Sequence, residues 1–240
     1  AGFCLELSTM KKLSVFICVN LWLILFCFSV SAQDFKTIQD GIEYAEMERK
    51  IDNLPVKMNL LKLDLTKVRL DVVHAMDAAI GVEKTSSIAT RHGAIAAINA
   101  GFFRLDTSIF GGDAVGIMQI DGKLLSESSN NRIAIGIING KDNTEVNFGH
   151  LDTKLSLGLG IDSFISVSGI NRERKSDEVV VFTPEFGQTT LTTPNGSEFL
   201  VKTSNQNQLV GNVTKISKDK GSSPIQEQHF FISANGEKSK

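Results

Sequence analysis

Four dipeptides of the Asn-Gly or Asp-Gly type lie beside apolar segments in the second half of the chain, and they constrain its fold more than any other feature. The pairs are Asp121-Gly122, Asn139-Gly140, Asn195-Gly196 and Asn235-Gly236. Both residues of such a pair adopt positive φ readily, and the type I′ turn that they form connects neighbouring antiparallel strands. The pairs therefore predict a series of β-hairpins from residue 115 onward.

Apolar or alternating segments around these turns predict the strands themselves. We expect strands over 115–120, 123–125, 133–138, 178–183, 199–202, 209–216 and 229–233. Residues 189–192 are expected to pair with 178–183 across a turn at 184–187.

The chain before residue 115 carries shorter signals. Alternation in 56–65 and in 68–76 predicts two adjacent strands, after a first strand or lead-in over 33–54. The Thr-Ser-Ser segment at 85–87 offers a cap for a short helix that Gly93 ends. A continuous run of small apolar residues over 94–99 predicts a buried strand. The predicted class is α+β and β-rich, with a mixed or antiparallel sheet and a few short helices.

Residues 10–32 have the order of a secretory signal peptide. Met10-Lys11-Lys12 precede an apolar run over 13–30. The run ends in Val30-Ser31-Ala32, with small residues at the two positions that a signal peptidase reads, which predicts cleavage before Gln33. A transmembrane anchor is the alternative, because the run is near the lower length limit for spanning. Residues 1–9 are interpreted as an upstream extension or an artefact. We expect a periplasmic or extracellular product that meets the membrane only through its signal peptide.

Composition excludes several classes of protein. With 42% hydrophobic and 22% charged residues the chain is globular, and its net charge of -2 does not give the basic footprint of a nucleic-acid-binding protein. All three cysteines, Cys4, Cys18 and Cys27, precede the predicted cleavage site. A disulfide framework, thiol catalysis and thiolate metal binding are therefore excluded for 33–240. The histidines show no metal-ligand spacing, so neither a metal nor a cofactor is predicted.

Asn99 is a candidate binding residue at the end of the predicted buried strand. Gly101 permits a sharp turn or a close backbone approach after it, and two phenylalanines follow. An amide donates and accepts hydrogen bonds, which suits a sugar hydroxyl or a phosphate oxygen. An asparagine that bonds its own loop is the alternative, and residue chemistry leaves both open.

The remaining candidates are basic residues and carboxylates. Arg132 precedes a strand and offers a planar fork that matches phosphate oxygens, while Asn171 and Arg172 form a second polar-basic cluster. The alternatives are a solvated arginine and a charged loop. The Gly-rich segment 111–116 suits an anion-binding concavity or, more simply, a hinge. Spacing does not choose a catalytic acid or base among Asp106, Asp113, Glu127, Glu173, Asp177 and Glu185.

The order of these motifs resembles the phosphodiester glycosidase family. The Ala-Ile-Asn-Ala-Gly-Phe-Phe segment at 97–103 is its most specific element. Supporting motifs follow in order at Gly116, 121–123, 132–136, 169–172, 179–184 and 189–190. The family comprises exported bacterial relatives of the uncovering enzyme, which removes N-acetylglucosamine from its phosphodiester link to mannose.

This resemblance implies a hydrolase that cleaves a sugar-1-phosphodiester at the anomeric carbon and releases a phosphomonoester. Its substrate class would be a phosphodiester-linked sugar or envelope polysaccharide. By resemblance, Asn99 and the Gly101 turn line the site and Arg132 holds the phosphate, with Asn171 and Arg172 as second choices.

The chain departs from the family pattern in its later part. The family's Arg-Thr-Ala-[Ile/Val]-Gly and Asp-Gly-Gly-Gly-Ser-Thr-like segments are absent from the sequence. We therefore expect 33–240 to be a phosphodiester glycosidase-like domain whose C-terminal part is missing, which would leave the strand at 229–233 as an unpaired edge. An exported module that binds sugar or phosphate without hydrolysis is the alternative, and a structural domain without a site is a third.

Overall fold

The computed structural model describes residues 34–160, 162–205 and 208–239. The predicted signal peptide and the residues before it lie outside these ranges. The described residues form two compact units, one that ends at residue 69 and one that begins at residue 70, where the sequence predicts one domain over 33–240.

The first unit is a three-stranded antiparallel sheet in the order β1-β2-β3. Its strands are Lys36–Gln39, Ile42–Ile51 and Leu54–Leu63. The predictions of a strand within 33–54 and of another over 56–65 are confirmed. After β3, Asp64 ends the sheet because its side chain accepts from the backbone N–H of Thr66 at 3.1 Å and its carbonyl accepts from Lys67.

The predicted strand over 68–76 is wrong. This segment is irregular and ends in a 3-10 turn at Ala75–Asp77. The backbone of Leu70 bonds to the Asn139 side chain rather than to a strand, so the alternating residues have no ladder to join.

The second unit contains a five-stranded mixed sheet in the order β10-β11-β14-β12-β13. Its strands are β10 (Gly169–Ile170), β11 (Val179–Phe182), β12 (Ser197–Asn205), β13 (Gln208–Lys218) and β14 (His229–Ala234). Only β10 and β11 pair in parallel. The β-rich class with a mixed sheet and few helices is thus confirmed.

The core lies on both faces of β11. Val179 and Val181 pack into one buried cluster, whereas Val180 and Phe182 pack into another that contains Phe186. Alternate residues of a strand point to opposite faces, so burial on both sides requires an uninterrupted apolar segment.

The predicted pairing of 178–183 with 189–192 is wrong. β11 pairs with β10 and β14, so β14 has neighbours on both sides and is not an unpaired edge. Residues 189–192 form no strand because Thr190 and Thr192 donate their hydroxyls to the buried Glu198 carboxylate, each at 2.7 Å.

Three hairpins complete the strands of this unit. They are β4–β5 (Met118–Ile120 and Lys123–Ser126), β6–β7 (Ile133–Asn139 and Thr144–His150) and β8–β9 (Ser156–Gly158 and Phe164–Ser166). The Asp121-Gly122 turn is confirmed, with φ of 50° and 79°. The second predicted hairpin is also confirmed, although Asn139 still belongs to the strand and pairs with Thr144.

The other two turn pairs have different roles. Asn195-Gly196 leads into β12, and Gly236 begins a 3-10 turn at Gly236–Ser239. A third 3-10 turn lies at Pro184–Phe186, where the sequence predicts a turn.

The predicted short helix is present as α1, Thr85–Arg91. Lys84 occupies the N-cap position, and no side chain caps the helix there. Across residues 34–160, 162–205 and 208–239, no helix has the length and apolar character needed to span a bilayer.

The predicted buried strand over 94–99 is wrong. The whole segment is exposed and irregular, and the Ile98 side chain is 76% exposed. The backbone N–H of Ala94 still bonds to Ala89 at the end of α1, and no strand pairs with the residues that follow.

Candidate functional site

A short antiparallel ribbon forms the centre of the candidate site. The N–H of Val115 donates to the carbonyl of Phe102 and that of Arg104 to the carbonyl of Asp113, both at 2.8 Å. Phe103 and Ala114 pair between these bonds. Side chains alternate across such a ribbon, so Phe102, Arg104, Asp113 and Val115 project from one face.

The connection within this ribbon depends on Gly112. Its φ is +90°, and a Cβ at this position would lie 1.9 Å from the carbonyl oxygen of Gly81. Only glycine fits this close approach and this backbone conformation. Within the Gly-rich segment 111–116, Gly111 and Gly112 therefore end the connection between the two arms, and residues 113–115 form the second arm.

Arg132, which directly precedes β6, lies against Phe102 of this ribbon. Its guanidinium carbon is 4.9 Å from the centroid of the Phe102 ring, and its Nη1 donates to the Val115 carbonyl at 3.5 Å. None of the described residues forms an ion pair with Arg132. The exposed guanidinium is thus oriented by an aromatic ring while its charge is uncompensated.

Arg172, in contrast, is fully engaged. Its Nε donates to Glu127 at 2.6 Å, and its Nη1 donates to Glu178 at 2.7 Å. Its Nη2 donates to the Ser168 carbonyl at 2.6 Å, and the side chain is only 17% exposed. A Cβ on Gly169 would come within 2.2 Å of the Arg172 Nε, so glycine there makes room for the guanidinium.

Arg104 is likewise neutralised by acidic neighbours. It pairs with Asp106 and donates from Nη1 to Glu173 at 2.6 Å. These bonds raise the pKa of Arg104. Hydrogen bonds from Ser108 and Arg104 lower the pKa of Asp106 to about 2.

Asp113 has the opposite environment. Burial, followed by repulsion from Glu127, raises the pKa of Asp113 to about 6, and the nearby charges of Arg172 and Arg104 offset only part of this. Within the described part of the chain, no group is hydrogen-bonded to its carboxylate. A half-buried carboxyl with a pKa near neutrality is suited to proton transfer.

The end of β5 joins these groups. Ser126 donates its hydroxyl to the Ala114 carbonyl at 3.1 Å, and the next residue, Glu127, accepts from the N–H of Ile170 at 3.0 Å. The ribbon, β5 and β10 therefore meet around Asp113.

Two of the predicted site residues lie on the loop before the ribbon. Asn99 is exposed, and its Oδ1 accepts from the Thr85 hydroxyl at 2.6 Å. Gly101 does not adopt a positive φ, and a Cβ there would meet no atom within 4 Å, so neither a left-handed turn nor a close approach requires this glycine.

Asn171 is 0% exposed. Its Oδ1 accepts from the N–H of Thr183 at 2.8 Å and its Nδ2 donates to the Thr183 hydroxyl at 3.0 Å. This amide links the ends of β10 and β11.

The other two predicted arginines reach the ribbon in different places. Arg132 contacts the ring of Phe102, and Arg172 is one of the charged groups near Asp113.

Asp113 is one of six carboxylates that the sequence offers as a catalytic acid or base, and the sequence does not select among them. Asp177 accepts from the N–H of Glu237 at 2.9 Å, and Glu185 pairs with Lys123 at 2.6 Å, so both are engaged elsewhere. The sequence does not predict a binding role for Arg104 or Phe102. The arms read Phe-Phe-Arg and Asp-Ala-Val, which show no alternation of apolar and polar residues, so no sequence signal marks this ribbon.

A second polar cluster lies at the end of α1. His92 contacts Asp77 at 2.9 Å, and Arg91 pairs with Asp77 and Glu83. The hydrogen bonds from Arg91, the Met76 N–H and Ser87 lower the pKa of Glu83 to about 2. In the described ranges, no group of three or more His, Cys, Asp or Glu residues could hold a metal ion.

Comparison with known proteins gives a fold likeness. The chain is similar to a solved structure titled as a hypothetical protein from Synechocystis, with a TM-score of 0.65 and 19% sequence identity. The match covers 87% of this chain and 38% of the Synechocystis chain, so the chain spans less than half of that protein's length. No family model and no curated protein matches the sequence. At this identity the likeness concerns the fold alone.

Proposed function

We propose that the chain acts in the hydrolysis of sugar-1-phosphodiester linkages, as an exported glycosidase or as part of one. The sugar released would be of the N-acetylglucosamine type, and the substrate a phosphodiester-linked sugar or an envelope polysaccharide. The observation that carries the proposal is the uncompensated guanidinium of Arg132 on the ring of Phe102. Phe102 belongs to the segment of the chain that most specifically resembles the phosphodiester glycosidases.

Charge favours this assignment. A phosphodiester carries a negative charge, and the planar fork of arginine matches two of its oxygens. Since Arg104 and Arg172 already pair with carboxylates, Arg132 is the arginine at the site that can accept a new anion. Stabilising the departing phosphate in this way would contribute directly to cleavage of the anomeric bond.

A binding module without hydrolysis is the second candidate. It is favoured by one specific observation: the later Arg-Thr-Ala-[Ile/Val]-Gly and Asp-Gly-Gly-Gly-Ser-Thr-like segments of the resembled family are absent from this sequence. Such a module would use the same Arg132 and Phe102 surface to hold the sugar phosphate.

The test is release of N-acetylglucosamine from its methylphosphate diester and from UDP-N-acetylglucosamine by the purified chain. We expect turnover, and we expect Arg132→Ala to raise KM by about 10- to 100-fold, because a charged hydrogen bond contributes roughly 1.5–3 kcal/mol. Arg49→Ala, which removes an exposed arginine from β2, is the matched control and should leave KM unchanged.

Calorimetric titration with the same diesters separates the two candidates. Binding that Arg132→Ala weakens, without any release of sugar, would support the binding module. Neither binding nor release would refute both.

A further inference from the structure

The carboxylates around Asp113 differ in how fully their oxygens are used. Both oxygens of Glu127 are hydrogen-bonded, one to the Arg172 guanidinium at 2.6 Å and the other to the Ile170 N–H at 3.0 Å. Both oxygens of Glu178 accept from Arg172. All four of these oxygens are therefore engaged in hydrogen bonds within the protein.

The two acidic partners of Arg104 are constrained similarly. Asp106 accepts from Arg104 and Ser108, which keeps its pKa at about 2. Glu173 accepts from Arg104 at 2.6 Å. These two carboxylates therefore balance the charge of the Arg104 guanidinium.

Asp113 alone among these carboxylates accepts no hydrogen bond from any described residue. It is half-buried on the ribbon face that also carries Phe102, and the ring of Phe102 is the one that the Arg132 guanidinium contacts. The charged groups that face it are Arg104 on the ribbon, Glu127 after β5, and Arg172 and Glu173 after β10. Burial and the Glu127 charge together raise the pKa of Asp113 to about 6.

We infer that the Asp113 carboxylate is the general base of the reaction, an inference that rests on the proposed function. In this step the oxygen of a water molecule forms a bond to the anomeric carbon, and one water proton passes to Asp113. The bond between the anomeric carbon and the phosphate oxygen breaks, and its electron pair leaves with the phosphomonoester. Asp113 then returns its proton to solvent.

The chemistry of the leaving group favours a base over an acid. A phosphomonoester has a second pKa of roughly 6, so it leaves as an anion without a strong proton donor. The attacking water is neutral and must lose a proton. A carboxyl with a pKa of about 6 is mostly ionised at pH 7 and still basic enough to accept it.

The experiment measures kcat and KM for the N-acetylglucosamine methylphosphate diester between pH 4.5 and 8. We expect Asp113→Asn to lower kcat by about 10²- to 10⁴-fold with little change in KM, because general base catalysis contributes about that much. The acid limb of the wild-type profile should lie at about pH 6 and should be lost in the variant. Asp142→Asn, in the exposed loop of the β6–β7 hairpin, is the matched control and should keep the wild-type profile.

Two further measurements distinguish a base from a structural role. Glu127→Gln removes the repulsive charge and should move the acid limb to lower pH, since the pKa of Asp113 would fall. Added formate should partly restore the rate of Asp113→Ala, because a small carboxylate can occupy the vacated space.

These measurements distinguish a failure of the Asp113 assignment from a failure of the proposed function. A wild-type enzyme that cleaves the diester, together with an Asp113→Asn variant of similar kcat and an unchanged acid limb, would overturn the assignment of Asp113 and leave the proposed function standing. Absence of cleavage by the wild type at every pH would overturn both.

Discussion

The guanidinium of Arg132 lies over the ring of Phe102, with its Cζ 4.9 Å from the ring centroid. This contact joins two motifs that are separated by the whole β4–β5 hairpin. It brings the cation proposed for phosphate binding to the loop that carries the most specific sequence motif. The ring helps to orient a long side chain whose other polar contact among the described residues is a weak hydrogen bond to the Val115 carbonyl.

Phe102→Leu should raise KM for the sugar phosphodiester by about two- to fivefold and leave kcat unchanged, because an exposed cation–π contact contributes about 0.5–1 kcal/mol. Steady-state kinetics measure the effect. Phe148→Leu on β7 is a matched control, because Phe148 is 71% exposed and Phe102 is 75% exposed. The effects of Phe102→Leu and Arg132→Ala should not add, and full additivity would show that the ring does not act through the guanidinium.

Arg172→Ala should lower the free energy of unfolding by about 3 kcal/mol, because it leaves two partly buried carboxylates, Glu127 and Glu178, without their cation. Arg172→Lys keeps the positive charge but lacks the planar guanidinium. Its free energy of unfolding should lie between those of Arg172→Ala and the wild type. Urea denaturation measures the change. Arg132→Ala is the control and should cost less than about 1 kcal/mol, as its guanidinium is exposed. Equal losses in the two alanine variants would contradict the structural role of Arg172.

Gly169→Ala should destabilise the fold by about 1–3 kcal/mol, because the new Cβ would come within 2.2 Å of the Arg172 Nε and displace the guanidinium. Thermal or urea unfolding measures the loss. Gly149→Ala on β7 meets no atom within 4 Å and provides the control. In an Arg172→Ala background the Gly169→Ala substitution should cost much less, and an undiminished cost would locate the clash elsewhere.

Asp113→Asn should stabilise the protein at pH 7 by about 1–2 kcal/mol, a value reduced from the full linkage because the carboxyl is only half-buried. The folded-state pKa of Asp113 is raised from 3.8 to about 6, so wild-type stability falls as the pH rises through this window. The asparagine side chain does not titrate, so the variant lacks this pH dependence. The free energies of unfolding of the two proteins should therefore become equal below pH 4. Urea titrations at pH 3.5, 5 and 7 measure the difference. A gap that stays constant with pH would contradict the raised pKa.

Local signals in the sequence predicted much of the second unit. The Asp121-Gly122 turn forms as expected because both residues tolerate positive φ, and it pairs Ile120 with Lys123 directly across the turn. The apolar segment over 178–183 becomes the buried β11 because such a segment is stable only with both faces covered.

Other predictions failed where pairing depends on distant residues. The small apolar segment over 94–99 has the composition of a buried strand, but none of the described strands pairs with it, and it is irregular and exposed. Thr190 and Thr192 have strand propensity, but their hydroxyls bind Glu198, and β14 occupies the position beside β11 instead.

The sequence by itself determined the β-rich class, the β4–β5 and β6–β7 hairpins and the presence of basic residues at the candidate site, because these follow from the φ preferences, periodicity and chemistry of neighbouring residues. The tertiary structure alone decided which groups are free to act. Glu127 and Glu173 are matched to arginines far away in the chain, whereas Asp113 and Arg132 are left without an ionic partner among the described residues. Burial and charge compensation depend on contacts between segments that only folding brings together.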